Sequence, residues 1–134
     1  MGSERLVRAP AGGNRPSSSQ FEKYSGSWLF VFPSLYEGFG LPLPEAMAWG
    51  VPIVASDASS IPEVMGDAAL LVPATQPEAF AEAILRVRSD KDLRRTMIEK
   101  GLSRAACFQW DKAARQLLEC MRNIVQKHSE TRQP

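Results

Sequence analysis

Two short, uninterrupted apolar runs, Trp28-Leu29-Phe30-Val31-Phe32 and Val51-Pro52-Ile53-Val54-Ala55, are separated by a glycine-bearing loop and a helical stretch. Five apolar residues without polar alternation fit a strand of a parallel sheet, where helices cover both faces. Parallel neighbours need a crossover between them. The segment between the runs supplies it: a loop from Ser34 to Gly40, then a helix from about Pro42 to Trp49, with proline in its first turn and Gly50 as its stop. Pro33 ends the first run, and Pro52 stands at the start of the second, where a missing donor does least harm to the ladder.

The pattern continues downstream. Ile61-Pro62-Glu63-Val64 predicts one helical turn, and Ala69-Leu70-Leu71-Val72, stopped by Pro73, predicts a third strand. Thr75-Gln76-Pro77-Glu78 reads as a capping box for a helix to about Ser89, with Phe80, Ala81, Ile84 and Leu85 at helical spacing. Ser89-Asp90-Lys91-Asp92 opens another in the same way, carrying Leu93, Met97 and Leu102. After a break at Cys107 to Gln109, a last helix from Trp110 is expected to turn Leu117, Leu118, Met121, Ile124 and Val125 inward. Strand and helix in alternation give an α/β fold: a partial Rossmann-like parallel sheet of about three strands with flanking helices.

The 134 residues divide into a linker-like or disordered head at 1–27, rich in Gly, Pro and Ser, a folded part at 28–128 and a frayed tail at 129–134. Lys and Arg number 16 against 15 Asp and Glu, a net charge of +1 that gives no field for nucleic acid or an anionic membrane. Cys107 and Cys120 form no CxxC or Cys/His cluster, so they are expected to be buried or half-buried free thiols. No apolar run reaches membrane-spanning length, and Leu6 stands where a myristoylation motif needs Ser or Thr. The expectation is a cytoplasmic protein.

Ligands of open parallel sheets bind at the carboxyl ends of the strands, where a glycine loop exposes backbone N–H groups. Gly38-Phe39-Gly40-Leu41 sits there, framed by Glu37 and, eight positions on, Glu45. Carboxylates accept paired hydrogen bonds from vicinal hydroxyls. A ligand with a pyranose near the loop, a diphosphate and a ribose would use both glutamates and the backbone donors together.

The stretch Phe32-Pro33-Ser34-Leu35-Tyr36-Glu37-Gly38-Phe39-Gly40-Leu41-Pro42-Leu43-Pro44-Glu45-Ala46-Met47-Ala48, continued by Pro52 to Ser56 and Ile61 to Val64, resembles the signature of the group 1 (sucrose-synthase-like, Glu-x7-Glu) retaining glycosyltransferases. The resemblance covers roughly residues 28 to 125. It implies the C-terminal part of the donor-binding domain of a two-domain GT-B protein, transferring a glycosyl group from a nucleotide diphosphate sugar with retention. By it, Glu37 is the catalytic-site carboxylate that contacts hydroxyls of the transferred sugar. Gly38, Phe39, Gly40 and Leu41 line the donor, the last three through backbone N–H groups, and Glu45 holds the ribose. It implies no metal and no cofactor besides the donor, and a departing phosphate that assists the acceptor.

The resemblance also implies what lies elsewhere: an acceptor domain, and the Arg and Lys that neutralise the diphosphate. Arg5, Arg8, Arg15 and Lys23 stand in no strand–loop–helix context that would aim them at a phosphate, and are not given that role. This chain is therefore expected to hold only part of a donor site and, alone, to transfer no sugar. The alternative is a non-catalytic, truncated binding or interaction module, pairing with a complementing chain or a second copy through an exposed sheet edge. Ser59-Ser60 stands where the family often has paired glycines, which predicts a less adaptable backbone there. Glu63 reads as a first-turn acid rather than a site residue, and His128 as solvent-exposed.

Overall fold

The computed structural model describes residues 24–130. Three strands, β1 (Phe30–Phe32), β2 (Ile53–Ser56) and β3 (Ala69–Val72), form one parallel sheet in the order β1-β2-β3. Phe30 stands opposite Ile53, and Ile53 opposite Ala69. Among the described residues five helices have assigned bounds: α1 (Pro42–Ala48), α2 (Ile61–Met65), α3 (Pro77–Ser89), α4 (Lys91–Ala105) and α5 (Trp110–Glu130). The α/β fold with three parallel strands is the one the apolar runs predict.

The period of two along a strand divides the core. Ile53 and Ala55 of β2 face one way, into a cluster with Leu43, Ala46 and Met47 of α1 and Ile61, Val64 and Met65 of α2. Val54 faces the other way, among Val72, Phe80, Ala83, Val87 and Met97 of β3, α3 and α4. Both faces of β2 are covered, and all four of its residues are buried. Each large side chain so enclosed contributes about 1.5–3 kcal/mol. α4 spans both layers: Met97 joins the second cluster, while Gly101 lies so close to α1 that a Cβ there would stand 3.5 Å from Met47 Cγ.

Several expectations need correction. β1 is only three residues long and its middle residue, Val31, is exposed, because an edge strand has neighbours on one side alone. Thr75 does not cap α3. The N-cap is Gln76, without a side-chain bond, and Pro77 fills the first turn, where it has no N–H to leave unpaired. Asp90, not Ser89, caps α4, accepting from the Leu93 N–H at 2.8 Å. Both cysteines are exposed, Cys107 in the turn after α4 and Cys120 on α5.

The largest correction concerns α5. Its apolar residues do not turn inward: Leu117, Leu118, Met121, Ile124 and Val125 are all more than half exposed. An amphipathic pattern states that one face wants cover, and among the described residues nothing provides it. The helix runs through Glu130, past the expected end near His128, which is exposed as expected. Tyr24, assigned from sequence to the head, is 5% exposed and belongs to the first cluster, so the folded part begins before Trp28. The rest of the head, 1–23, and the last four positions, 131–134, lie outside the described residues.

Gly50 ends α1 as expected, with φ at +67°, a conformation that costs a side-chain-bearing residue about 1–2 kcal/mol. Two further contacts tie α4 to the rest. The Arg104 guanidinium donates to the carbonyls of Val64 at 3.0 Å and Glu63 at 2.6 Å, satisfying acceptors at the end of α2. Lys100 pairs with Asp67 at 2.7 Å; this lysine holds the Asp67 carboxyl below its usual range.

Candidate functional site

Beyond the carboxyl ends of β1 and β2, two loops meet, residues 33–41 and 57–60. Serine hydroxyls join them. Buried Ser56, the last residue of β2, donates to the Ser34 carbonyl. Ser59 and Ser60 both donate to the Glu37 carbonyl, at 2.8 and 3.0 Å. The Ser34 hydroxyl lies 2.9 Å from Glu37 Oε1 and 3.2 Å from the Tyr36 carbonyl. With one proton to give, it is better matched to the charged acceptor. Glu37 is thus held by its main chain from the second loop and by its carboxylate from within its own.

At Ser59-Ser60, where a less adaptable backbone is expected, the geometry shows a tether. Ser59 adopts φ +55°, the region glycine would occupy, and its hydroxyl makes the bond to Glu37 that a glycine cannot make. A left-handed backbone and a side-chain tether thus occur at the same residue.

The glycines of the loop differ in their reasons. Gly40 is buried with φ +76°, a conformation that favours glycine, and a Cβ there would come within 3.1 Å of Leu43 Cδ1, so the space is tight as well. At Gly38 a Cβ would meet nothing within 4 Å, which leaves the backbone open to approach. Phe39 is 43% exposed and meets Phe108 edge-on at 5.6 Å between ring centroids. Phe108 in turn lies under the Arg104 guanidinium, 5.2 Å away. The turn between α4 and α5 therefore buttresses the glycine loop. Tyr36 is 83% exposed and Leu41 55%.

Leu41 occupies the N-cap of α1 without a side-chain bond. Among the described residues no acceptor takes the backbone N–H groups of Phe39, Gly40 and Leu41. Glu45, in the first turn of α1, receives the Tyr24 hydroxyl on Oε2 at 3.2 Å; the Pro42 carbonyl is 3.5 Å from the same oxygen of Tyr24. Burial first, and the Glu45 charge second, push the Tyr24 phenol up to about 12. Each glutamate thus has its own hydroxyl donor.

All six residues singled out from sequence lie on one continuous segment at this end of the sheet. Those the sequence reading missed are the ones that hold them: Tyr24, Ser34, Ser56, Phe108 and Arg104. Ser34, three residues before Glu37, was within reach of local reasoning; Tyr24, 21 positions from Glu45, was not. No described group of three or more His, Cys, Asp or Glu is placed to hold a metal, and no described helix is long and apolar enough to cross a membrane.

A parallel sheet helical on both faces, its polar loops gathered at the carboxyl ends, defines a Rossmann-like α/β protein. Residues 13–104 match the model of the family Glycosyl transferases group 1, and the chain belongs to that family. It is 41% identical over 95 residues to O-antigen chain mannosyltransferase B of Escherichia coli, covering 71% of this chain and 25% of that protein. The sucrose-phosphate synthase of Thermosynechococcus elongatus superposes with a TM-score of 0.71 at 34% identity, over 78% of this chain and 27% of that one. The C-terminal domain of a group 1 glycosyl transferase from Francisella tularensis does so at 0.61 and 28%, over 72% of this chain and 51% of that one. The chain thus spans about a quarter of the length of the first two.

Proposed function

We propose that the chain carries one side of the donor site of a retaining glycosyltransferase that uses a nucleotide diphosphate sugar. Glu37 faces hydroxyls of the transferred sugar, the N–H groups of Phe39, Gly40 and Leu41 take oxygens of sugar and diphosphate, and Glu45 accepts from the ribose. The observation that carries this reading is the pairing of two individually tethered carboxylates with three N–H groups that no described residue accepts from. Fixed donors aimed at developing charge need not reorganise during reaction, and stabilise it more than water does.

In the transfer itself, the bond from the anomeric carbon to phosphate breaks. A bond to the acceptor oxygen forms on the same face, and the acceptor proton leaves to the departing phosphate. That step belongs to the whole protein. The segment here supplies grip and orientation, with no metal called for. The cytoplasm is the compartment this reading expects, since a charged donor does not cross a bilayer unaided.

Isothermal titration of the chain with ADP, GDP and UDP, and with UDP-glucose and GDP-mannose as sugar probes, tests it. Binding of at least one nucleotide, weakened about tenfold or more by Glu45→Gln, is the expected result. No heat from a folded sample, or unchanged binding in Glu45→Gln, overturns the reading.

One observation favours a second reading, a non-catalytic interaction module that pairs with a complementing chain or a second copy: the exposed apolar face of α5. A strictly monomeric, well-folded species in light scattering would count against it.

A further inference from the structure

Tyr24 lies 21 positions before Glu45, outside the segment that carries the family signature, yet its side chain is enclosed by the core. Its ring meets Phe30 of β1 edge-on at 5.9 Å and is 5% exposed. Only the hydroxyl reaches a charged group, Glu45 Oε2 at 3.2 Å. A glutamate side chain loses about 1.5–2 kcal/mol of rotamer freedom when fixed. A neighbour that fixes it beforehand removes that cost from ligand binding. The tyrosine is well placed for this, because its own ring is locked by packing and its proton stays on throughout the neutral range, the phenol being pushed up to about 12. The backbone of Glu45 is fixed independently by α1, whose Leu43, Ala46 and Met47 are buried. Tyr24 adds a contact on the carboxylate itself.

We propose that Tyr24 is a positioning residue for Glu45, orienting its carboxylate toward the two ribose hydroxyls of the donor nucleotide. This rests on the reading that Glu45 holds the ribose. It adds a residue from before the first strand, so that the ribose subsite is built from two separate pieces of chain joined through the core.

The experiment is a binding cycle by isothermal titration on the full chain. It compares the unsubstituted protein, Tyr24→Phe, Glu45→Gln and the double variant, each with the tightest of ADP, GDP and UDP and with its 2′,3′-dideoxy form. Phenylalanine keeps the ring and its packing and removes only the hydroxyl. Tyr24→Phe is expected to weaken the ribonucleotide about three- to tenfold, to leave the dideoxy form unchanged, and to add nothing once Glu45 is Gln. Equal ribonucleotide binding by Tyr24→Phe, or an equal loss on both nucleotides, overturns the positioning role while leaving the donor-site reading intact. Absence of binding by the unsubstituted chain overturns both. Should Tyr24→Phe fail to fold, spectrophotometric titration of Tyr24 in a Tyr36→Phe background decides the contact. Its midpoint must fall when Glu45 becomes Gln, and an unmoved midpoint overturns the proposal.

Discussion

The strand β2 and the helix α5 are both built from apolar residues at regular spacing, and the two end in opposite environments. Every residue of β2 is buried, whereas every described side chain of α5 is exposed. The difference does not lie in apolar content. β2 has a ladder on each side and a helical layer on each face, so its burial is enforced by the backbone pairing of β1 and β3 as well as by side chains. α5 satisfies its own backbone hydrogen bonds and needs no neighbour to be a helix. Regular apolar spacing specifies the kind of element; whether the element is covered depends on what else the chain brings alongside.

The same substitution at both places exposes the contrast. Ile53→Ala, at a fully buried position, is expected to destabilise the chain by about 2–5 kcal/mol in urea unfolding, from lost transfer energy and the cavity left behind. A cost below about 1 kcal/mol would mean that α1 and α2 do not cover their face of the sheet. The alkaline limb of the stability curve gives a second reading of the core. Tyr24 sits in the core, and α5 contains no tyrosine. Unfolded, the phenol ionises near its ordinary 10.0, while folded it holds its proton to about 12. Its contribution is therefore fully present below pH 10 and lost as pH rises toward 12. Chemical unfolding measured at intervals over that window should show the decline, and Tyr24→Phe should flatten it. Least of all is expected of Ile124→Ala, at a position 62% exposed: a change within about 0.5 kcal/mol, the gain in helix propensity offsetting what little cover is lost. A cost like that of Ile53→Ala would show that α5 is covered in solution.

Much of the fold follows from local rules. The continuous apolar runs mark three parallel strands because a strand with helices on both faces has no polar side. Gly50 marks the end of α1 because the chain there must turn through a left-handed conformation. The errors fall where one local signal competes with another. Thr75 and Ser89 resemble caps, but Pro77 and Asp90 lie nearer the first helical turn and decide where each helix starts. The site divides in the same way. Glu37, Gly40 and Glu45 are legible because their spacing is fixed by one strand, one loop and one helix turn. Tyr24, Ser59 and Phe108 are not, because each reaches the loop from a different element.

The sequence by itself determined the type and order of the elements, the parallel sense of the sheet and the segment that bears the two glutamates, since each of these is signalled by a pattern a few residues long. Only the tertiary structure decided which groups hold that segment: a tyrosine from before β1, serines from the loop after β2, and a phenylalanine in the turn between α4 and α5. Those contacts join residues 21 to roughly 70 positions apart. No local pattern encodes them, because a hydroxyl or a ring finds its partner only after sheet and helices have brought distant backbone together. The open face of α5 has the same cause: its pattern is local, and its cover is not.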